Sequence, residues 1–157
     1  MIMTANAKEA ARLLIESRKT GKTFKTLPEA LAPKSIAEAY AIQHAVLDAL
    51  GKPRIAGYKI SIFPDKSTAV APILADLIVG DGANLSLAPA GRMGIELEFG
   101  FRFGVGVAAD ASAAQVLDAI ESTVVTIELC DTRYDGIENQ PKETLIADFI
   151  SNKGAVA

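Results

Sequence analysis

GIELEFGFRFGVGV, running from Gly94 to Val107, alternates over a full strand length. Ile95, Leu97, Phe99, Phe101 and Phe103 share one face, and Glu96, Glu98, Gly100, Arg102 and Gly104 share the other, because side chains of an extended strand point to opposite sides with a period of two. The apolar face is expected to pack on the core. The other face sets two carboxylates side by side, and like charges that close repel unless a cation lies between them. Two readings stand: a half-exposed strand whose acids face water, and a hard-cation site that needs a third oxygen ligand from elsewhere in the chain.

A second strand repeats the pattern. In Thr123–Cys130, TVVTIELC, Val125, Ile127 and Leu129 share a face, and Thr126 and Glu128 share the opposite one. Between the two strands, Asp110–Ser122 reads as a helix opened by Ser112 and Gln115, with Val116, Leu117 and Ile120 on its buried side. Strands joined by one helix can lie side by side, in which case Glu96, Glu98 and Glu128 converge.

The chain of 157 residues is about one domain long, and half its residues are apolar, enough for a real core. A formal charge of −3 with scattered basic residues gives no footprint for nucleic acid or anionic lipid, so small molecules or copies of itself are the expected partners. No apolar run approaches the roughly 20 residues of a membrane span. The N-terminus has no signal-peptide core, since Lys8, Glu9 and Arg12 interrupt it. The single cysteine, Cys130, sits in an apolar run where a buried free thiol is ordinary, which fits a reducing cytoplasm.

Upstream, Thr4 to about Lys19 reads as an amphipathic helix with Thr4 as its cap, Ala10, Ala11, Leu13, Leu14 and Ile15 on its apolar side and Gly21 as its stop. Thr20-Gly21-Lys22-Thr23 imitates the end of a phosphate-binding loop, but Glu16 stands where that loop needs glycine and no strand precedes it. Ser35-Ile36-Ala37-Glu38 has the form of a capping box and opens a second helix to Leu50, with Ile36, Tyr40, Gln43, Leu47 and Leu50 in one row. The only histidine, His44, falls on the opposite side as a surface residue, which removes the base that serine or cysteine hydrolases require. Arg54–Phe63 is strand-like and sets Lys59 among apolar neighbours, either as an edge charge or as a functional amine. Ile73–Val79 fits a short strand or a helical turn, and Asp131–Ala157 is polar and turn-rich without a clear closing element.

Ala39-Tyr40-Ala41-Ile42-Gln43, Gly57-Tyr58-Lys59-Ile60, Glu96-Leu97-Glu98, Ile127-Glu128-Leu129-Cys130-Asp131-Thr132-Arg133 and Ile146-Ala147-Asp148 occur in an order and spacing that carry a resemblance. The chain resembles the 2-keto-4-pentenoate hydratases and related 2-oxo-acid hydratases and decarboxylases of the fumarylacetoacetase superfamily. That resemblance implies an α+β chain: an N-terminal helical region over residues 1–52, then, over 53–157, the first portion of a mixed β-roll or β-sandwich of the fumarylacetoacetase C-terminal-domain type. It implies Glu96, Glu98 and Glu128 as ligands of Mg2+ or Mn2+ and Lys59 as the catalytic amine. Three glutamates and one divalent ion leave the site at minus one before an anionic substrate arrives, so a further cation is required, and Arg133 is the second candidate after Lys59.

The implied reaction is hydration of a 2-hydroxy-2,4-dienoate to a 4-hydroxy-2-oxo acid in aromatic catabolism, with the substrate's carboxylate and carbonyl oxygens on the metal. Decarboxylation of a 2-oxo acid and carbon–carbon hydrolysis share that platform, and a non-catalytic fragment or structural subunit is the reading from another class. A homo-oligomer is expected, or a complex with a related decarboxylase or hydratase. The chain departs from the family pattern in three places. Ile73 follows Pro72 where pentadienoate hydratases carry an acid, and Phe149-Ile150-Ser151-Asn152 follows Asp148 where an asparagine and a serine-rich turn are usual. Family members also continue well past the equivalent of Ala157, so a fragment or a shortened relative with an exposed strand edge is expected.

Overall fold

The computed structural model describes residues 4–84 and 94–157. Its elements run α1 (Ala5–Thr20), α2 (Ile36–Ala49), β1 (Ile55–Ile62), β2 (Thr68–Leu74), β3 (Ile78–Val79), β4 (Gly94–Phe103), α3 (Ala113–Asp118), β5 (Ile120–Cys130), α4 (Lys142–Ala147) and β6 (Asn152–Val156). This is the expected α+β order, helices first and a mixed sheet after. The β1–β2 hairpin stands apart from a four-stranded sheet ordered β3-β6-β5-β4, in which β3 and β6 are parallel and the other pairs antiparallel. No helix among the described residues is long and apolar enough to cross a membrane.

The helices start where their caps say. Thr4 Oγ1 accepts the Ala7 N–H at 3.2 Å, and Gly21 ends α1 in the left-handed region at φ 70°. Ser35 Oγ accepts from Glu38 N at 3.2 Å, but the Glu38 carboxylate reaches one residue further back, to the Lys34 N–H at 2.7 Å, so the expected box is only half closed. The buried row of α2 differs from the expected one. Ile36 and Leu50 are 38% and 37% exposed, while Ala39, Ala41, Ile42, Gln43, Ala45 and Val46 are buried. Small residues decide this, because Ala41 and Ala45 let α2 approach the Ala7, Ala10 and Ala11 face of α1, with Leu14, Ile42 and Val46 filling the seam. Gln43 lies buried because its Nε2 donates to Ile146 O at 2.9 Å and Val70 O at 3.3 Å, which ties α2 to α4 and β2. His44 is exposed.

Downstream, Ile73 and Leu74 complete β2, a single 3-10 turn covers Ala75–Leu77, and β3 follows. The helix expected over residues 110–122 shrinks to α3, and Leu117 is 67% exposed, because Ile120 pairs with Phe103 and starts β5 early. Asp131–Ala157, read as lacking a closing element, contains α4 and the central strand β6. β6 fits beside β3 through Gly154: at φ 152° it lies so close to the Leu77 carbonyl that an added Cβ would collide with it.

Polarity differs most from expectation. The apolar residues of β4, expected on the core, face outward: Ile95, Leu97, Phe99 and Phe101 are between 58% and 78% exposed. On β1, Tyr58, Ile60 and Ile62 face outward while Lys59 is buried. Alternation shows that a strand has two faces and does not say which is covered. Here β6 pairs with β5 only over Ile127–Cys130, so beyond Thr126 the β4–β5 pair is a two-stranded ribbon with no layer over its apolar side among the described residues.

Candidate metal centre

Register builds the site. β4 and β5 pair antiparallel with Glu96 directly opposite Glu128 and Glu98 opposite Thr126, which places all three glutamates on one face of the ribbon. Burial deepens across the group: Glu96 is exposed, Glu98 half-buried and Glu128 buried. Lys59 enters from β1, where its inward direction is fixed by pairing with Ala71 of β2. Its Nζ donates to Glu128 Oε2 at 2.5 Å and to Ile150 O at 3.4 Å, and the two charged side chains are only 5% and 3% exposed. The other carboxylate oxygen of Glu128, Oε1, accepts from Asn152 Nδ2 at 2.8 Å.

The electrostatics follow from this crowding. Partial burial and then the charge of Glu128 hold the Glu98 carboxyl above its usual value, with Glu96 adding to the rise and Lys59 opposing it. Cys130, two residues past Glu128 and therefore on the same strand face, joins the group. Its thiol is pushed up to about 12 by burial first and by the Glu128 and Glu96 charges next. One ligand atom from each of Glu96, Glu128 and Cys130 can be chosen so that all lie within 4.8 Å of one another.

Arg133 is held elsewhere. Its Nε donates to both oxygens of Asp148 at 2.8 Å, with Asp131 Oδ2 3.9 Å from its Nη1. Arg18 adds a second guanidinium on Asp148 Oδ1 at 3.0 Å and stacks over the Phe149 ring at 4.7 Å, and burial lowers its pKa to about 10, still well above neutral pH. Asp148 is therefore the buried anion that two arginines share. The structure brings Glu128 together with Lys59 and with Glu96 and Cys130, sets Glu98 on the same strand face but outside that close group, and places Arg133 in this separate network.

The residues present suit a divalent cation. Oxygens on opposite sides of one Mg2+ lie roughly 4.2 Å apart, and of one Ca2+ roughly 4.8 Å, so the spacing of Glu96 and Glu128 is within what a single ion bridges, while Glu98 would have to swing in from its place on the same face. Three carboxylates are the donors that Mg2+, Mn2+ and Ca2+ take, and a thiol beside them widens the range toward softer ions. Three glutamates and Lys59 sum to minus two, which one divalent cation cancels. Sequence reasoning missed Cys130 and Asn152. The first was legible as the next same-face residue after Glu128, whereas the second depends on a turn with no sequence signature.

No family model matches the chain, and no curated protein matches it. Its fold does match solved structures. The chain is similar to 4-oxalocrotonate decarboxylase from Pseudomonas putida G7 complexed with magnesium and adipate, at TM-score 0.80 and 17% identity over 99% of this chain. The same enzyme complexed with calcium and acetate matches at TM-score 0.78 and 17% identity over 99% of this chain. The chain spans 63% and 62% of those two chains. At such identity the likeness is one of fold: this chain folds as the corresponding part of that decarboxylase does.

Proposed function

We propose that the chain carries the cation-binding and lysine portion of a fumarylacetoacetase-superfamily lyase that decarboxylates an unsaturated 2-oxo acid. The observation that carries this reading is Lys59 buried against Glu128 on the face that also bears Glu96 and Glu98. Glu96, Glu98 and Glu128 would hold Mg2+ or Mn2+, which when bound supplies an electron sink by polarising the 2-oxo group. Lys59 holds a proton at Nζ in a nearly dry position. As the carbon–carbon bond to the departing carboxylate breaks, its electron pair flows into the conjugated 2-oxo system. Lys59 delivers its proton to the carbon end of that system and regains one from water.

Decarboxylation asks for one proton donor at the cluster, and Lys59 is one. Hydration of a 2-hydroxy-2,4-dienoate asks also for a group that activates water, and the hydratase acid is replaced by Ile73. The Cys130 thiol, pushed up to about 12, is a poor substitute. The fold likeness to a decarboxylase supports the same choice. The apolar outer faces of β1 and β4 support further protein packed over them, in keeping with an oligomer.

The test supplies 4-oxalocrotonate with Mg2+ or Mn2+ and follows carbon dioxide release together with loss of the conjugated absorbance. A parallel run with 2-hydroxypenta-2,4-dienoate reads the hydratase alternative. Release that requires the cation and disappears in Lys59→Met supports the proposal. Turnover of the dienoate alone would transfer the assignment to hydration, and indifference of the melting temperature to either cation would remove the metal site altogether.

A further inference from the structure

Phe149, Ile150 and Ser151 take φ of 57°, 51° and 60°, three successive residues with side chains in the left-handed region. That conformation is unfavourable for every residue but glycine, and a run of three persists only where the surroundings impose it. Here they do. Phe149 is buried under the Arg18 guanidinium, Ser151 N donates to Asp148 O at 3.1 Å, and Ser151 O accepts from Asp131 N at 2.8 Å. The turn thus hangs on the same Asp148 that Arg18 and Arg133 neutralise.

Its product is the placement of two groups. Ile150 O comes to face Lys59 Nζ at 3.4 Å, and Asn152, the first residue of β6 and 2% exposed, points its amide at Glu128. Glu128 then has a donor on each oxygen, Lys59 on Oε2 and Asn152 on Oε1. A carboxylate held by one donor can still turn about its last bond. Held by two donors from different elements, it keeps one plane, and the lone pairs left over point in a fixed direction.

We propose that Asn152 is a positioning residue for the cation: its amide sets the rotation of Glu128, and the left-handed turn at Phe149–Ser151 exists to deliver it. The inference rests on the metal-site reading given above. Outer hydrogen bonds to ligating carboxylates generally change metal affinity by about 10–100-fold, and a change of that size is expected here.

The experiment uses the whole chain and Mn2+ alone, with free ion counted by electron paramagnetic resonance. Asn152→Leu keeps the volume and removes the amide, and Asn152→Ser removes it without added bulk should the leucine variant fail to fold. The expected result is a Mn2+ affinity lowered about 10–100-fold, a changed line shape of the bound ion, and loss of the cation-induced rise in melting temperature. A packing role alone would lower the melting temperature in chelator and leave Mn2+ affinity and line shape as they are, which overturns the inference while the metal site stands. No Mn2+ bound by the unaltered chain would bring down both.

Discussion

Replacing Lys59 with methionine isolates the central pair. The substitution keeps the stem and removes the ammonium, leaving Glu128 buried with Asn152 as its one donor among the described residues and with Glu96 and Glu98 as like-charged neighbours. Breaking a buried ion pair by deleting one partner costs about 3–5 kcal/mol, because the remaining charge is left uncompensated. For a domain of this length each kcal/mol moves the melting temperature by about 2–4 °C, so cation-free Lys59→Met should melt roughly 6–20 °C lower.

The informative part is what a cation then does. With Lys59 present the three glutamates and the ammonium sum to minus two, and without it they sum to minus three. A divalent ion relieves more repulsion in the variant, so the deficit should shrink when Mn2+ is saturating. Urea unfolding of both proteins, in chelator and in Mn2+, measures the four free energies directly. A deficit unchanged by the cation would refute the reasoning, since it would mean that the ion does not sit against Glu128. A deficit below about 1 kcal/mol in chelator would refute the premise that the pair is buried and mutually dependent. The double change Lys59→Met with Glu128→Leu should recover most of the loss, as replacing both members of a buried pair with apolar groups often does.

Glu98→Gln should stabilise the cation-free protein at neutral pH. The Glu98 carboxyl titrates above its ordinary 4.5 in the fold, so the native state binds that proton more tightly, and the stability it contributes below pH 4.5 is lost as pH rises through the folded value. The variant should flatten that fall and also lose its melting response to Mg2+, and a parallel pH profile in parent and variant would count against the assignment. Cys130, raised from 9.0 to about 12, should carry about a thousandfold less thiolate than an ordinary cysteine, so alkylation by iodoacetamide at pH 8, followed by mass spectrometry, should be nearly silent until the protein is unfolded. Rapid labelling of the native cation-free protein would contradict this. Arg133→Lys should destabilise the fold by several kcal/mol despite keeping the charge, because a single ammonium cannot reproduce the guanidinium that bonds both Asp148 oxygens; a loss under about 1 kcal/mol in urea unfolding would show Arg18 to suffice.

Local chemistry was the legible part of this chain. Thr4, Gly21, Ser35 and Ser112 announced helix ends because a cap is settled by a few neighbouring residues, and each falls where its side chain or φ requires. That Glu96, Glu98 and Glu128 share one face was legible for the same reason. A period of two fixes which residues share a face, and antiparallel pairing of β4 with β5 brings the faces into line. What failed, on α2, α3 and β4 but not on α1, were inferences that needed to know what lies across from a face. Ile36 and Leu50 looked like core, but the alanines of α1 and α2 set the distance between those helices.

Inverted polarity has a physical consequence of its own. On β1 and β5 the residues that hydrophobicity alone would bury, Tyr58, Ile60, Val125 and Ile127, lie outside, and Lys59 and Glu128 lie within. A charge moved indoors without a partner is so unfavourable that it shifts its pKa or unfolds the protein, so two strands that turn their charges inward can coexist only if those charges meet. Lys59 and Glu128 do meet, and Asn152 and the Ile150 carbonyl complete their bonding. Such a contact contributes little net stability compared with an apolar pair of the same size, while the strained turn that supports it costs energy of its own. Both costs fall at one spot, on the face that also carries Glu96 and Glu98, which is where the proposed cation site would need a carboxylate held in a fixed direction.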